Sequence, residues 1–109
     1  MTVREMADAL ALTPIAVSDG EREISGVYIG DLLSWVMGRA SSGDAWITIM
    51  SNVNIVAVAT LADVACIVLA EGVTLDESVR TTAEQKGVNV YTTRMTAYEV
   101  AAALATVMK

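Results

Sequence analysis

Four short polar clusters hold the residues that could do chemistry: Gly30-Asp31, Ser51-Asn52-Val53-Asn54, Glu71-Gly72 and Thr92-Thr93-Arg94. Together they offer backbone amides, hydroxyls, side-chain amides, two carboxylates and a single guanidinium. Such a set suits a small anion or a nucleotide phosphate, with Arg94 as its only cation and helix N-termini supplying N–H donors. The binding residues expected on this reading are Gly30, Asp31, Ser51, Asn52, Asn54, Thr93 and Arg94. The same residue types also cap helices, and Ser51, Asn52, Thr93 and Thr96 could do no more than that. Asp31 and Glu71 could form a carboxylate pair for acid–base work or magnesium. Alternatively, Asp31 opens a helix and interacts favourably with its macrodipole.

What the chain lacks narrows the chemistry further. None of its 109 residues is His, which removes the imidazole base of hydrolase triads and the usual zinc ligands. The one Cys, Cys66, lies in the apolar run Ala65-Cys66-Ile67-Val68 with no basic neighbour, so it reads as a core thiol and not a nucleophile. A single Cys also forbids an internal disulfide framework and points to a reducing compartment. There is neither a Walker-type phosphate loop nor a Gly-rich dinucleotide fingerprint. No catalytic constellation, cofactor site or metal site is therefore expected.

The formal charge of −6 argues against nucleic acid and anionic membranes as partners. The longest uncharged run, Ala45 to Ala62, approaches the length of a membrane helix, but Ser51, Asn52 and Asn54 would lie at its centre. With Arg4, Glu5 and Asp8 near the start, the N-terminus does not read as a signal peptide. The expected location is the cytoplasm.

These clusters need elements to position them. Thr2 and Glu5 form a capping box for a first helix ending near Ala11, where Val3, Met6, Ala7 and Leu10 recur at helical spacing. Leu12 to Val17 reads as a short strand, Ser18-Asp19-Gly20 as a turn, and Ile24 to Ile29 as a second strand. A helix from Asp31 to about Ala40 follows, then a strand from Ala45 to Met50. Val53 to Ala62 has β-branched residues that favour a strand. Asn52 as a cap and the spacing of Ile55, Val58, Ala59 and Ala62 favour a helix, which the crossover to a next strand at Cys66–Ala70 requires. Asp76 to Lys86 is a polar helix closed by Gly87, Val88 to Tyr91 a last strand, and Thr96 with Glu99 a capping box for a final helix reaching Met108. The alternation predicts one domain over residues 1–109, an α/β three-layer sandwich with a largely parallel sheet whose carboxyl ends carry the four polar clusters.

Hydrophobic residues make up 54% of the chain, more than a small interior absorbs easily. Leu32, Leu33, Val36 and Met37 cover one broad face of the helix after Asp31, and Trp35 shares a neighbouring stripe with Leu32 and Arg39. A helix apolar around most of its circumference is buried on more than one side. Leu32, Trp35 and Met37 are accordingly expected at an interface, with a homodimer or another protein as partner, unless Trp35 belongs to the core. The final helix, with Val100, Ala101, Ala103, Leu104, Val107 and Met108, is apolar in the same way.

The stretches Gly26-Val27-Tyr28-Ile29-Gly30-Asp31-Leu32-Leu33-Ser34, Asp44-Ala45-Trp46-Ile47-Thr48-Ile49 and Asn54-Ile55-Val56-Ala57-Val58-Ala59 resemble the DRTGG domain family. The resemblance runs from about Glu23 to Leu104 and is closest to stand-alone members related to the N-terminal domain of HPr kinase/phosphorylase. It implies an α/β fold similar to that domain and to the N-terminal domain of Mur ligases, a helix over Val53 to Ala62, and a regulatory or assembly role without kinase activity. The Thr-Gly-Gly that ends the fourth strand in relatives is matched here by Ala70-Glu71-Gly72. Two functions are thus expected: a non-catalytic regulatory module acting as a homodimer, or a sensor of a nucleotide or phosphate-bearing anion.

Overall fold

The computed structural model describes residues 1–108. Ten elements follow in order: α1 (Val3–Leu10), β1 (Thr13–Ala16), β2 (Gly26–Ile29), α2 (Leu33–Arg39), β3 (Asp44–Thr48), α3 (Asn54–Ala62), β4 (Cys66–Leu69), α4 (Glu77–Lys86), β5 (Val90–Thr92) and α5 (Ala97–Val107). The strands form one sheet in the order β1-β5-β4-β3-β2. From β2 through β5 all pairings are parallel, and β1 joins β5 antiparallel.

Helices cover both faces, as the alternation predicted. On one face α1 and α5 bury Val3, Met6, Leu10, Val100 and Leu104 against Ile47, Cys66 and Val68. On the other, α2, α3 and α4 bury Val36, Ile55, Ala59, Val79 and Ala83 against Trp46, Ile67, Leu69 and Val90. The central strands β3 and β4 are buried residue by residue. This is why they read as continuous apolar runs, since a parallel sheet has no solvent face.

Local chemistry explains most boundaries. Both capping boxes form: Thr2 accepts from the Glu5 amide while the Glu5 carboxylate accepts from the Thr2 amide, and Thr96 and Glu99 do the same for α5. Gly87 closes α4 with φ +70°, where a side chain would be strained. Asn52 Oδ1 accepts from the Asn54 N–H at 2.9 Å, so the helical reading of α3 prevails over β-branched propensity. The run from Ala45 to Ala62 is split between β3 and α3, and no helix among the described residues is long and apolar enough to cross a membrane.

Four boundaries differ from expectation by two residues, the first being the start of β2 at Gly26 and not Ile24, because the Ile24 and Ser25 amides go to the Met1 and Gly43 carbonyls. Strand β3 ends at Thr48, not Met50, because Asp31 captures the next amide. Strand β5 begins at Val90, because the Val88 N–H still closes α4 on the Ala83 carbonyl at 2.9 Å and Asn89 turns its side chain inward. The helix expected from Asp31 begins at Leu33, with Leu32 at its cap position and no side chain capping it. Asp31 does not serve that helix N-terminus as a cap.

Candidate functional site

The parallel topology carries the C-terminal ends of β2, β3, β4 and β5 to one edge of the sheet, so all four polar clusters reach the same crest. Across it run, in order, Thr93-Arg94 after β5, Glu71-Gly72 after β4, Ser51-Asn52 after β3 and Gly30-Asp31 after β2. Adjacent strands lie about 4.8 Å apart, so the ends of β5 and β3 stand about 10 Å from each other across β4.

Most of these groups are already committed to backbone. Asp31 Oδ1 accepts from Thr48 Oγ1 at 2.7 Å and from the Ile49 N–H at 3.0 Å, which ties the end of β2 to the end of β3. The Gly30 carbonyl accepts from the buried Trp46 Nε1 at 2.9 Å, and a Cβ at Gly30 would lie 2.9 Å from the Tyr28 ring. Thr93 Oγ1 accepts from the Met95 N–H at 3.2 Å, while the Thr93 carbonyl takes the Gly72 N–H at 2.8 Å. Asn52 is engaged with Asn54 as described. Ser51 and Arg94 are exposed, and Arg94 forms no ion pair among the described residues. Of the residues expected to cap, Thr96 caps α5, whereas Asn52 and Thr93 each hold the amide two residues on in a turn.

Asp31 and Glu71 belong to different strand ends. Asp31 spends its carboxylate on β3, and Glu71 sits exposed at the end of β4 with φ +60°. They do not form a shared carboxylate site. No group of three or more metal-ligating side chains stands together among the described residues. Cys66 is fully buried, and burial pushes its thiol up to about 12, so it carries no thiolate at neutral pH.

The best-formed clefts open elsewhere. One of about 370 Å³ lies between α3 and α4, lined by Val56, Thr60, Leu61, Thr82 and Lys86. A second of about 310 Å³ lies between α2 and α3, against Leu33, Met37 and Val58. Asn54 borders both and is the predicted residue they share. A third, of about 440 Å³, lies between β2 and α5.

The residues expected at an interface are all exposed: Leu32 by 59%, Trp35 by 52% and Met37 by 44%. The core tryptophan is Trp46, with none of its surface accessible. Trp35 carries the Arg39 guanidinium over its ring at 3.7 Å, a cation–π contact that partly shields an otherwise open indole. Met37 borders the cleft against α3, and Leu32, Trp35 and Arg39 are not among the residues that line it.

Sequence reasoning missed Asn89, which is 3% exposed. Its Oδ1 accepts from the Ser18 and Asp19 amides at 2.8 and 3.0 Å, and its Nδ2 donates to the Asp19 and Ala65 carbonyls at 2.9 and 3.0 Å. It is a structural pin between the β1–β2 connection and the start of β4. An Asn at the head of an apolar strand was the available signal.

No curated protein sequence matches the chain. Among solved structures it is similar to the CBS and DRTGG domains of the regulatory region of Clostridium perfringens pyrophosphatase, a structure complexed with the activator diadenosine tetraphosphate. The TM-score is 0.74 at 15% identity, over 94% of this chain and 45% of that one, so the chain spans about half the length of that region. The DRTGG domain matches residues 18–107, from the first turn after β1 to the end of α5. On that match, the chain belongs to the DRTGG domain family.

Proposed function

We propose that the protein is a non-catalytic regulatory module that acts through protein contacts as a homodimer. The observation that carries this reading is the exposure of Leu32 and Trp35 on a helix whose core contribution is Val36. Tryptophan is costly to leave half in water, and it is enriched at the centres of interfaces. Hydrogen bonds commit Asp31 and Thr93 to the fold and burial takes Cys66 out of reach of solvent, so three groups suited to chemistry serve the structure instead. Analytical ultracentrifugation over 1–200 µM tests the reading. A concentration-dependent dimer is expected, and Trp35→Ser should weaken it by about tenfold, the 1–2 kcal/mol scale of an interfacial tryptophan. A chain that stays monomeric at the highest concentration refutes it.

A second reading is favoured by one observation. Arg94 forms no ion pair among the described residues and shares its crest with Ser51 and Asn52, in a fold similar to a regulatory region solved with a nucleotide activator. A nucleotide or phosphate-bearing anion would place its charge at Arg94, with Glu71 and Asp31 limiting how much negative charge the crest tolerates. A thermal-shift panel of nucleotides and dinucleoside polyphosphates decides this, since a ligand that binds the native state must raise its melting temperature. No shift at millimolar ligand refutes the sensor.

A further inference from the structure

The two edges of the sheet are protected very differently. At one end β1 carries Pro14, which cannot donate to another strand, and its pairing with β5 shifts register between Pro14 and Ala16. Proline and irregular register are the usual means of blunting an edge. At the other end β2 (Gly26–Ile29) has no proline, no charge and an unbroken register with β3. The Gly30 N–H donates inward to the Ile47 carbonyl at 3.2 Å, so by strand alternation the backbone groups of Val27 and Ile29 face out of the sheet. β2 is the terminal strand, and no other strand among the described residues pairs with its outer edge.

Apolar surface flanks it on both faces. Val27 and Ile29 are 39% and 50% exposed and form the floor of the 440 Å³ groove, whose wall is Ala101, Leu104, Ala105 and Met108 of α5. On the other face α2, the helix that directly follows β2, exposes Leu32 and Trp35. The exposures of Val27, Ile29, Leu32 and Trp35 add up to about two whole side chains, so even at the 150–250 Å² of large residues these four offer about 300–500 Å² per copy. Twice that is about 600–1,000 Å², and the Ala101, Ala105 and Met108 wall with the backbone and rim atoms of the edge brings it to the floor for a stable interface. Charge points to the same partner. Two copies at −6 repel each other, and Gly26–Ile29 and Val100–Met108 carry no charged residue while α2 carries only Arg39, so this is a face on which they can meet without bringing carboxylates together.

We propose that a second copy of this chain docks here, its β2 pairing antiparallel with β2 across a twofold axis to continue the sheet. The axis passes at Tyr28, so Val27 exchanges backbone hydrogen bonds with Ile29 of the second copy, and the reverse. The two α5 grooves then close over one face and the two Leu32–Trp35 stripes meet on the other. One operation covers both apolar flanks, which a contact through α2 alone does not do. The inference rests on the homodimer reading above and names its surface.

Two single variants of the full chain test it beside the wild type, with circular dichroism to confirm folding. Ile29→Lys puts two ammonium groups beside the axis and should weaken the dimer at least tenfold by sedimentation. Tyr28→Cys places two thiols opposite each other at a non-hydrogen-bonded pair, within reach of a disulfide, and should yield a covalent dimer on mild oxidation. Cys66 is buried and does not compete. A wild-type dimer that Ile29→Lys leaves intact, or that Tyr28→Cys fails to link, overturns the strand pairing and leaves the homodimer reading standing. A monomeric wild type removes both. Should either variant fail to fold, the other decides alone.

Discussion

At the scale of single residues, the polar groups of this chain mostly hold the fold and leave little for chemistry. Asp31 carries the point. By type and position it suited a helix cap, a general base or a metal ligand, and it is instead the bracket between β2 and β3. Which of these an Asp becomes depends on the nearest unpaired donor, and here that donor is the Ile49 amide, contributed by the neighbouring strand. Asn89 shows the same economy more strongly, since its amide satisfies backbone groups from two distant segments. Asn89→Ala should leave the Ser18, Asp19 and Ala65 groups without partners and cost about 2–3 kcal/mol of stability, read as a lower urea midpoint at unchanged m-value. An unchanged midpoint would show that water replaces the side chain freely.

Among the elements, the turn after β4 is where this chain departs from its family. Glu71 and Gly72 take consecutive left-handed conformations, φ +60° and +75°, so the turn is built for glycine at both positions. Relatives with Thr-Gly-Gly meet that demand, and this chain places a glutamate where the second of those three residues stands. The Glu71 N–H donates to the Met95 carbonyl at 2.8 Å, which holds the conformation against its cost. Glu71→Gly should therefore stabilise the protein by about 1 kcal/mol, the left-handed penalty less the extra entropy of glycine in the unfolded chain. Thermal unfolding checks it, and a lower melting temperature would mean that the glutamate side chain has a partner of its own. The same scale explains the success with α3 and the shortfall with α2. For α3 the Asn52 turn is a local interaction visible in sequence, whereas the start of α2 waits on Asp31, whose partner is 18 residues away.

For the whole molecule, charge and edge protection act together. A net −6 spread outside the β2–α5 face keeps copies apart until that face meets. Raising ionic strength from 50 to 500 mM shortens the screening length from about 14 Å to about 4 Å. Dimerisation should therefore tighten several-fold with salt, measured by sedimentation at fixed protein concentration. A dimer weakened by salt would instead point to ion pairs across the interface, and so to a different surface. The polar crest, by contrast, is assembled by topology alone: four parallel strand ends bring Arg94, Asn52 and Asp31 to one edge, although they are far apart in the chain. The strand–helix alternation made that crest foreseeable. It could not reveal that the clefts open between helices and beside β2, because a cleft records what neighbouring side chains fail to fill.

The elements themselves were legible in the sequence. Capping boxes at Thr2 and Thr96, the glycine stop at Gly87 and the apolar runs of β3 and β4 are all interactions within a few residues, so they act wherever the chain goes. Tertiary structure alone decided which tryptophan is core, which edge is blunted and what Asp31 holds. Trp35 and Trp46 sit in equally apolar surroundings along the chain. What separates them is strand order, which places β3 inside the sheet and leaves α2 beside an open edge. Strand order is set by contacts between distant segments, and their energies appear only once those segments have been brought together.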